Sequence, residues 1–334
     1  MLASEAMRTS SASWIFAVMS VICFNANSAF GAEVIRMGMI GLDTSHVPAF
    51  TKIFNDPKAT GELAGFKVVA GYPGGTDIPP SRDRVKKFTA DIQQMGVEIV
   101  DNIPALLTKV DVVLLMSVDG RIHLQEAEPV IAAGKPLFID KPMAGSLRDG
   151  IKIAELAQAK EVPWFSSSSV RYYPGFQKLS KSDGLIGAQT WGACTYLEGT
   201  PDMFYYGIHG IEALYTLMGA GCESLTRTQT TDTDVVTGVW KDGRVGSYRG
   251  IRKGKAEFGG VAFMAKEIKP VEVGGGYEAL CIEIAKFFRT GKAPIPPEET
   301  LEILAFMEAA DESKRRGGAP VKLEEVMKIA REAR

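Results

Sequence analysis

Residues 34–46 read Val34-Ile35-Arg36-Met37-Gly38-Met39-Ile40-Gly41-Leu42-Asp43-Thr44-Ser45-His46. The stretch at 34–40 is a mostly apolar, strand-like run of the kind covered on both faces by helices. A glycine follows, then residues that lead into helical spacing over 47–54. A strand that turns through glycine into a helix is the opening unit of a doubly wound α/β domain, where a phosphate is received at the helix start.

Outward from that unit the pattern repeats. Short apolar runs at 66–70, 97–100, 110–116, 136–139 and 163–167 predict further strands, and helical spacing fills 83–95, 121–133 and 147–160. This predicts a Rossmann-like nucleotide-binding domain over 33–168. From 169 to 334 the character changes. Strands are expected at 188–196, 224–229, 235–240 and 244–248, with Asp242-Gly243 as a hairpin turn, and helices at 208–218, 277–289, 297–315 and 323–334. That is a C-terminal α+β domain with an open, largely antiparallel sheet for substrate binding, and its open face suits self-association into a homo-oligomer.

Ahead of the first strand, Arg8 precedes an apolar run at 14–24 and the small-residue stretch Ala29-Phe30-Gly31-Ala32. The order predicts a Sec-type signal peptide over 1–32 and an exported, periplasmic or secreted protein; the twin-arginine pair is missing. No other stretch approaches the roughly 20 apolar residues of a membrane-spanning helix, so the mature chain is expected to have no integral membrane segment. Over 334 residues, 46% are hydrophobic and 23% charged with a net charge of −2, which excludes a disordered chain and a polyanion-binding bias toward nucleic acid. Cys194, Cys222 and Cys281 lack metal-ligand spacing and are read as small buried hydrophobes.

The chemistry concentrates at strand exits. Gly41 holds the first position of the dinucleotide fingerprint, but Asp43 and His46 stand at the second and third. Asp43 puts an anionic side chain where backbone should approach a pyrophosphate, and Asp43, Thr44 and Ser45 equally suit helix capping. The second strand exits through Ala70-Gly71-Tyr72-Pro73-Gly74-Gly75 without an acid for the ribose, while Arg82 and Arg84 suit either a 2′-phosphate or the surface. The fourth strand exits through Ser117 and the fifth through Asp140-Lys141-Pro142. A lysine at the strand ends of such a sheet faces the ligand crevice and suits donation to a substrate oxygen. Of the three histidines, at 46, 123 and 209, the last falls four residues after Tyr205 and three before Glu212, a helical face of titratable groups.

Together with Ala133-Gly134-Lys135-Pro136, Arg171-Tyr172-Tyr173-Pro174, Gly184-Leu185-Ile186-Gly187, Gly207-Ile208-His209, Phe287-Phe288-Arg289-Thr290-Gly291 and Ala309-Ala310-Asp311-Glu312-Ser313, these residues resemble the Gfo/Idh/MocA family of glucose-fructose oxidoreductase and inositol dehydrogenase over nearly the whole mature chain. The resemblance implies a Rossmann domain followed by an open-sheet domain, and oxidation or reduction of a sugar, polyol or cyclitol hydroxyl with NAD or NADP. It implies Lys141, His209 and Tyr205 as the catalytic set, with Lys141 on the reacting oxygen and His209 as acid/base. Gly41, Asp43, Thr44, Ser45, His46, Ser117, Asp140 and Lys141 would hold the cofactor, with no resident metal. Three departures stand out: Asp140 replaces the motif glutamate, Tyr205 occupies the place of the histidine's aspartate partner, and the phosphate turn has lost two glycines. They keep open two alternatives: a non-redox lyase, epimerase or hydrolase on a keto-sugar, in one version with a metal between His46 and His209, or a non-catalytic sugar-binding protein.

Overall fold

The computed structural model describes residues 34–333. The expected signal peptide at 1–32 lies outside them. Strands β1 (Ile35–Ile40), β2 (Phe66–Tyr72), β3 (Glu98–Ile99), β4 (Val112–Leu115), β5 (Leu137–Asp140) and β6 (Trp164–Ser167) form one all-parallel sheet in the order β3-β2-β1-β4-β5-β6. This is the doubly wound order, with its reversal between β1 and β4. Every residue of β4 and β5 is buried, as expected for central strands covered on both faces.

The expected helix over 83–95 is Val85–Gln94, and a separate short helix, Pro79–Arg82, precedes it. That over 121–133 begins as a 3₁₀ turn, Gly120–Ile122, before the α-helix His123–Ala132. Ser146 caps the helix Leu147–Ala159 by accepting from the Asp149 N–H at 3.1 Å.

The second sheet comprises β7 (Leu185–Ala193), β8 (Cys222–Gln229), β9 (Thr233–Trp240), β10 (Val245–Ile251), β11 (Gly259–Met264), β12 (Ile268–Pro270) and β13 (Val321–Lys322), in the order β12-β11-β7-β10-β9-β8-β13. All its pairings are antiparallel except β10 with β7. β11, β12 and β13 go beyond the sequence reading. β11 opens on two glycines, which carry no strand propensity, and the other two have only three and two residues.

Two helices cover the sheets near the site. Gly207–Met218 is buried at every position and packs on β7 and β10, where the ring of Tyr248 leaves Gly210 no room for a Cβ. Glu278–Thr290 returns from the second half to the parallel sheet, packing Leu280, Ile284 and Phe287 into one core with Met37, Phe50 and Phe138. Cys194, Cys222 and Cys281 are free and buried, as the sequence suggested.

Candidate functional site

At the carboxyl ends of β1 and β5, facing the start of the buried helix, a cleft of about 320 Å³ is lined by Thr44, Ser45, His46, Arg84, Lys141 and His209, with aromatic walls from Tyr205, Tyr206, Phe258 and Tyr277. Crevices at such a topological switch are where open α/β sheets take ligands. Larger grooves exist on the helical flank around Ile151 and Trp164, but they hold none of the residues that carry proton-transfer chemistry here.

Lys141 leaves β5 into this cleft with 7% of its surface exposed. Among the described residues its ammonium has no hydrogen-bond or ion-pair partner within range. An ammonium at a cleft wall without a protein acceptor is free to donate to a ligand oxygen.

His46 opens the helix His46–Phe54 and is 6% exposed. Its Nδ1 lies 2.7 Å from Asp140 Oδ2. The ring stacks on Phe50 at 5.5 Å and meets the edge of Tyr277 at 4.7 Å. Burial opposes the charge of Asp140, but His46 and Lys141 outweigh it and hold the carboxyl below its ordinary pKa. Asp140 Oδ1 is buried without a partner.

His209 sits two residues into the buried helix, its Nδ1 2.6 Å from the Ser168 hydroxyl. Burial, then the nearby Lys141 and His46, push its pKa well below the usual value, so it is neutral at physiological pH. Tyr205 lies ahead of the helix rather than on its face, lining the cleft with a phenol pushed up in pKa by burial. Glu212 turns away, its carboxylate accepting from Arg171 at 2.8 Å and Ser167 at 3.1 Å. The expected face of Tyr205, His209 and Glu212 is therefore divided, with only the first two at the cleft. His123 is fully buried, its ring nitrogens 3.1 Å and 2.8 Å from the carbonyls of Met143 and Ser117, a structural role.

The phosphate turn departs furthest from a glycine-rich one. Gly41 has φ +80°, and a Cβ there would lie 2.0 Å from the Ser117 hydroxyl, so this first glycine is required sterically. The Leu42 N–H donates to the Pro73 carbonyl at 2.8 Å. The Asp43 carboxylate accepts from the Val118 N–H at 2.8 Å and from the Ser81 hydroxyl at 2.5 Å. Burial pushes its pKa up against those two bonds. Ser117 donates to Glu126 at 2.6 Å. Asp43 and Ser117, expected to touch a cofactor, thus spend their side-chain bonds within the protein, and Asp140 spends Oδ2 on His46. Arg82 is exposed beside Asp83, while Arg84 lines the cleft with Nη2 buried and unbonded.

The molecule is thus a two-sheet α/β protein with a Rossmann half and a polar cleft at its switch point. Residues 78–167 match the family model of the GFO_IDH_MocA oxidoreductases, described as an oxidoreductase family with an NAD-binding Rossmann fold. No curated protein sequence matches. The fold is similar to a probable dehydrogenase from Thermotoga maritima at 19% identity, over 87% of this chain and 100% of that one, with a TM-score of 0.69. It is similar to scyllo-inositol dehydrogenase from Lactobacillus casei, solved with NAD(H) and scyllo-inositol, at 13% identity, 87% and 100% coverage and a TM-score of 0.69. An oxidoreductase from Agrobacterium radiobacter, solved with NAD+, L-tartaric acid and magnesium, matches at 14% identity, 87% and 99% coverage and a TM-score of 0.68. Among the described residues no group of three or more His, Cys, Asp or Glu is arranged to hold a metal ion.

Against a nicotinamide dinucleotide, the reactive end of the cleft fits: Lys141 and the Arg84 guanidinium, with Nη2 unbonded, line it beside an aromatic wall. The turn meant for its phosphates is braced by Asp43.

Proposed function

We propose that the protein is an NAD(P)-dependent oxidoreductase acting on a hydroxyl of a small sugar, polyol or cyclitol. The observation that carries this reading is Lys141 lining one cleft with His46 and His209 at the ends of the strands, its ammonium without a hydrogen-bond partner among the described residues. Thr44, Ser45 and Lys141, which line the cleft, would hold a nicotinamide dinucleotide, and it would supply hydride acceptance or donation when bound. The chain supplies the rest. Lys141 donates to the reacting oxygen and stabilises the negative charge that grows on it. A cleft imidazole takes or returns the hydroxyl proton. The aromatic walls exclude water and orient a ring-sized substrate. The basic, apolar and small-residue order of 1–32 supports export, which cell fractionation tests.

Mass spectrometry of the purified protein for bound nicotinamide, with calorimetric titration of NAD(H) and NADP(H), tests the reading; absence of binding by every form rejects it. The Asp43 brace favours a second reading, a non-redox lyase or epimerase on a keto-sugar that uses the same proton-transfer groups. Turnover of a 3-keto-sugar without added dinucleotide would select it.

A further inference from the structure

We propose that His46, oriented by Asp140, is the proton-accepting group of this cleft, and that His209 is a neutral wall residue. The proposal rests on the oxidoreductase reading for its reaction but on geometry for its residues.

Asp140 Oδ2 stands 2.7 Å from His46 Nδ1, and both side chains are nearly excluded from water, at 1% and 7% exposed. A buried carboxylate at Nδ1 fixes the hydrogen there, which leaves Nε2 as a bare acceptor and stabilises the imidazolium formed when it takes a proton. Phe50 and Tyr277 hold the ring on its face and edge, so the orientation is set by packing as well as by the hydrogen bond. His209 has no such partner: its Nδ1 meets a neutral hydroxyl, and burial disfavours its charged form. The residue four positions before it, where the family pattern puts an acid, is Tyr205. Of these two histidines, His46 is hydrogen-bonded to a carboxylate and His209 to a hydroxyl. The charged and titratable groups facing His46 are Asp140 and Lys141 from the end of β5, His209 from the buried helix and Tyr277 ahead of Glu278–Thr290.

In the oxidation direction the substrate O–H bond breaks and its proton forms an N–H bond at His46 Nε2. The O–H electron pair becomes the second bond of the carbonyl as the carbinol C–H pair leaves as hydride to the oxidised dinucleotide named above. Lys141 keeps its proton throughout.

With only three histidines in the chain, ring-¹⁵N labelling resolves each one. At pH 8 in the ligand-free protein, His46 is expected with hydrogen on Nδ1 and a bare Nε2, and Asp140→Asn is expected to reverse that tautomer. Diethylpyrocarbonate is expected to acylate His46 fastest of the three. The opposite tautomer, a tautomer indifferent to Asp140→Asn, or acylation of His209 ahead of His46 would each overturn the proposal. With myo-inositol and NAD+ as probes, His46→Gln is expected to lower kcat by about 10²–10⁴, and Asp140→Asn to lower it as well. Retained kcat in His46→Gln also overturns it. A protein that binds no dinucleotide fails the oxidoreductase reading alone, because the tautomer and acylation results still decide the role of His46.

Discussion

The Asp43 carboxylate and the Ser81 hydroxyl lie 2.5 Å apart across 38 residues of sequence, and the same carboxylate accepts from the Val118 N–H at 2.8 Å. One side chain thereby fastens the turn after β1 both to the short helix after β2 and to the exit of β4. In a glycine-rich turn that space belongs to a ligand's phosphates.

A buried carboxylate there repels a pyrophosphate and occupies donors it would use. Asp43→Asn removes the charge and Asp43→Gly also clears the space. Both are expected to tighten NADH binding at least several-fold in a fluorescence titration, with glycine the stronger. Weaker binding by both, with unchanged thermal stability, would mean that Asp43 helps to hold the cofactor.

Lys141→Met keeps the stem and removes the ammonium. Its melting temperature is expected to stay close to the wild type, since His46 keeps its hydrogen bond to the buried Asp140 carboxylate. Turnover of an inositol and hexose panel is expected to fall by about 10²–10³, the usual cost of losing a donor to a developing oxyanion. A stable variant with undiminished turnover would remove Lys141 from the chemistry.

Glu126 is buried beneath the phosphate turn, and burial pushes its pKa up to about 7 from 4.5. The folded protein therefore binds this proton more tightly than the unfolded chain. Its stabilising effect is complete below pH 4.5 and is lost as pH rises through about 7. Glu126→Gln is expected to flatten that decline and to gain up to about 3 kcal/mol at pH 8.5, measured by urea unfolding across pH. Parallel stability curves for the two proteins would contradict this.

Arg227 has no exposed side-chain surface and pairs with Asp234 at 2.9 Å, Asp202 at 2.7 Å and Asp311 at 2.5 Å. Its removal takes the guanidinium from Asp311 and leaves Asp234 to Arg252 and Asp202 to Lys314. Arg227→Met is expected to cost roughly 3–5 kcal/mol in chemical unfolding, and the loss should shrink at low pH as the carboxylates protonate. A loss below 1 kcal/mol at neutral pH would show that the acids find solvent or other cations.

The doubly wound half was legible because its signals are local. Buried parallel strands are apolar runs, and Gly41 must be glycine because the turn has positive φ and no space for a Cβ. The Asp242-Gly243 turn between β9 and β10 was likewise readable, with Gly243 at φ +84°. β11 was not, because Gly259 and Gly260 pair with Trp191 and Thr190 of β7 through backbone alone. Nor was the helix Glu278–Thr290 assignable to the first sheet, since an amphipathic face does not name the surface it will cover.

At the site, the sequence alone determined that Lys141 stands at a strand exit facing the crevice and that Asp43 and His46 displace two glycines of the phosphate turn. It could not assign carboxylates to partners. His46 and Asp140 are 94 residues apart, and they meet only because β1 and β5 run parallel on either side of β4 and end at the same edge. Tertiary structure decided which histidine is oriented by an acid, because a hydrogen bond depends on positions in space that strand order and register fix.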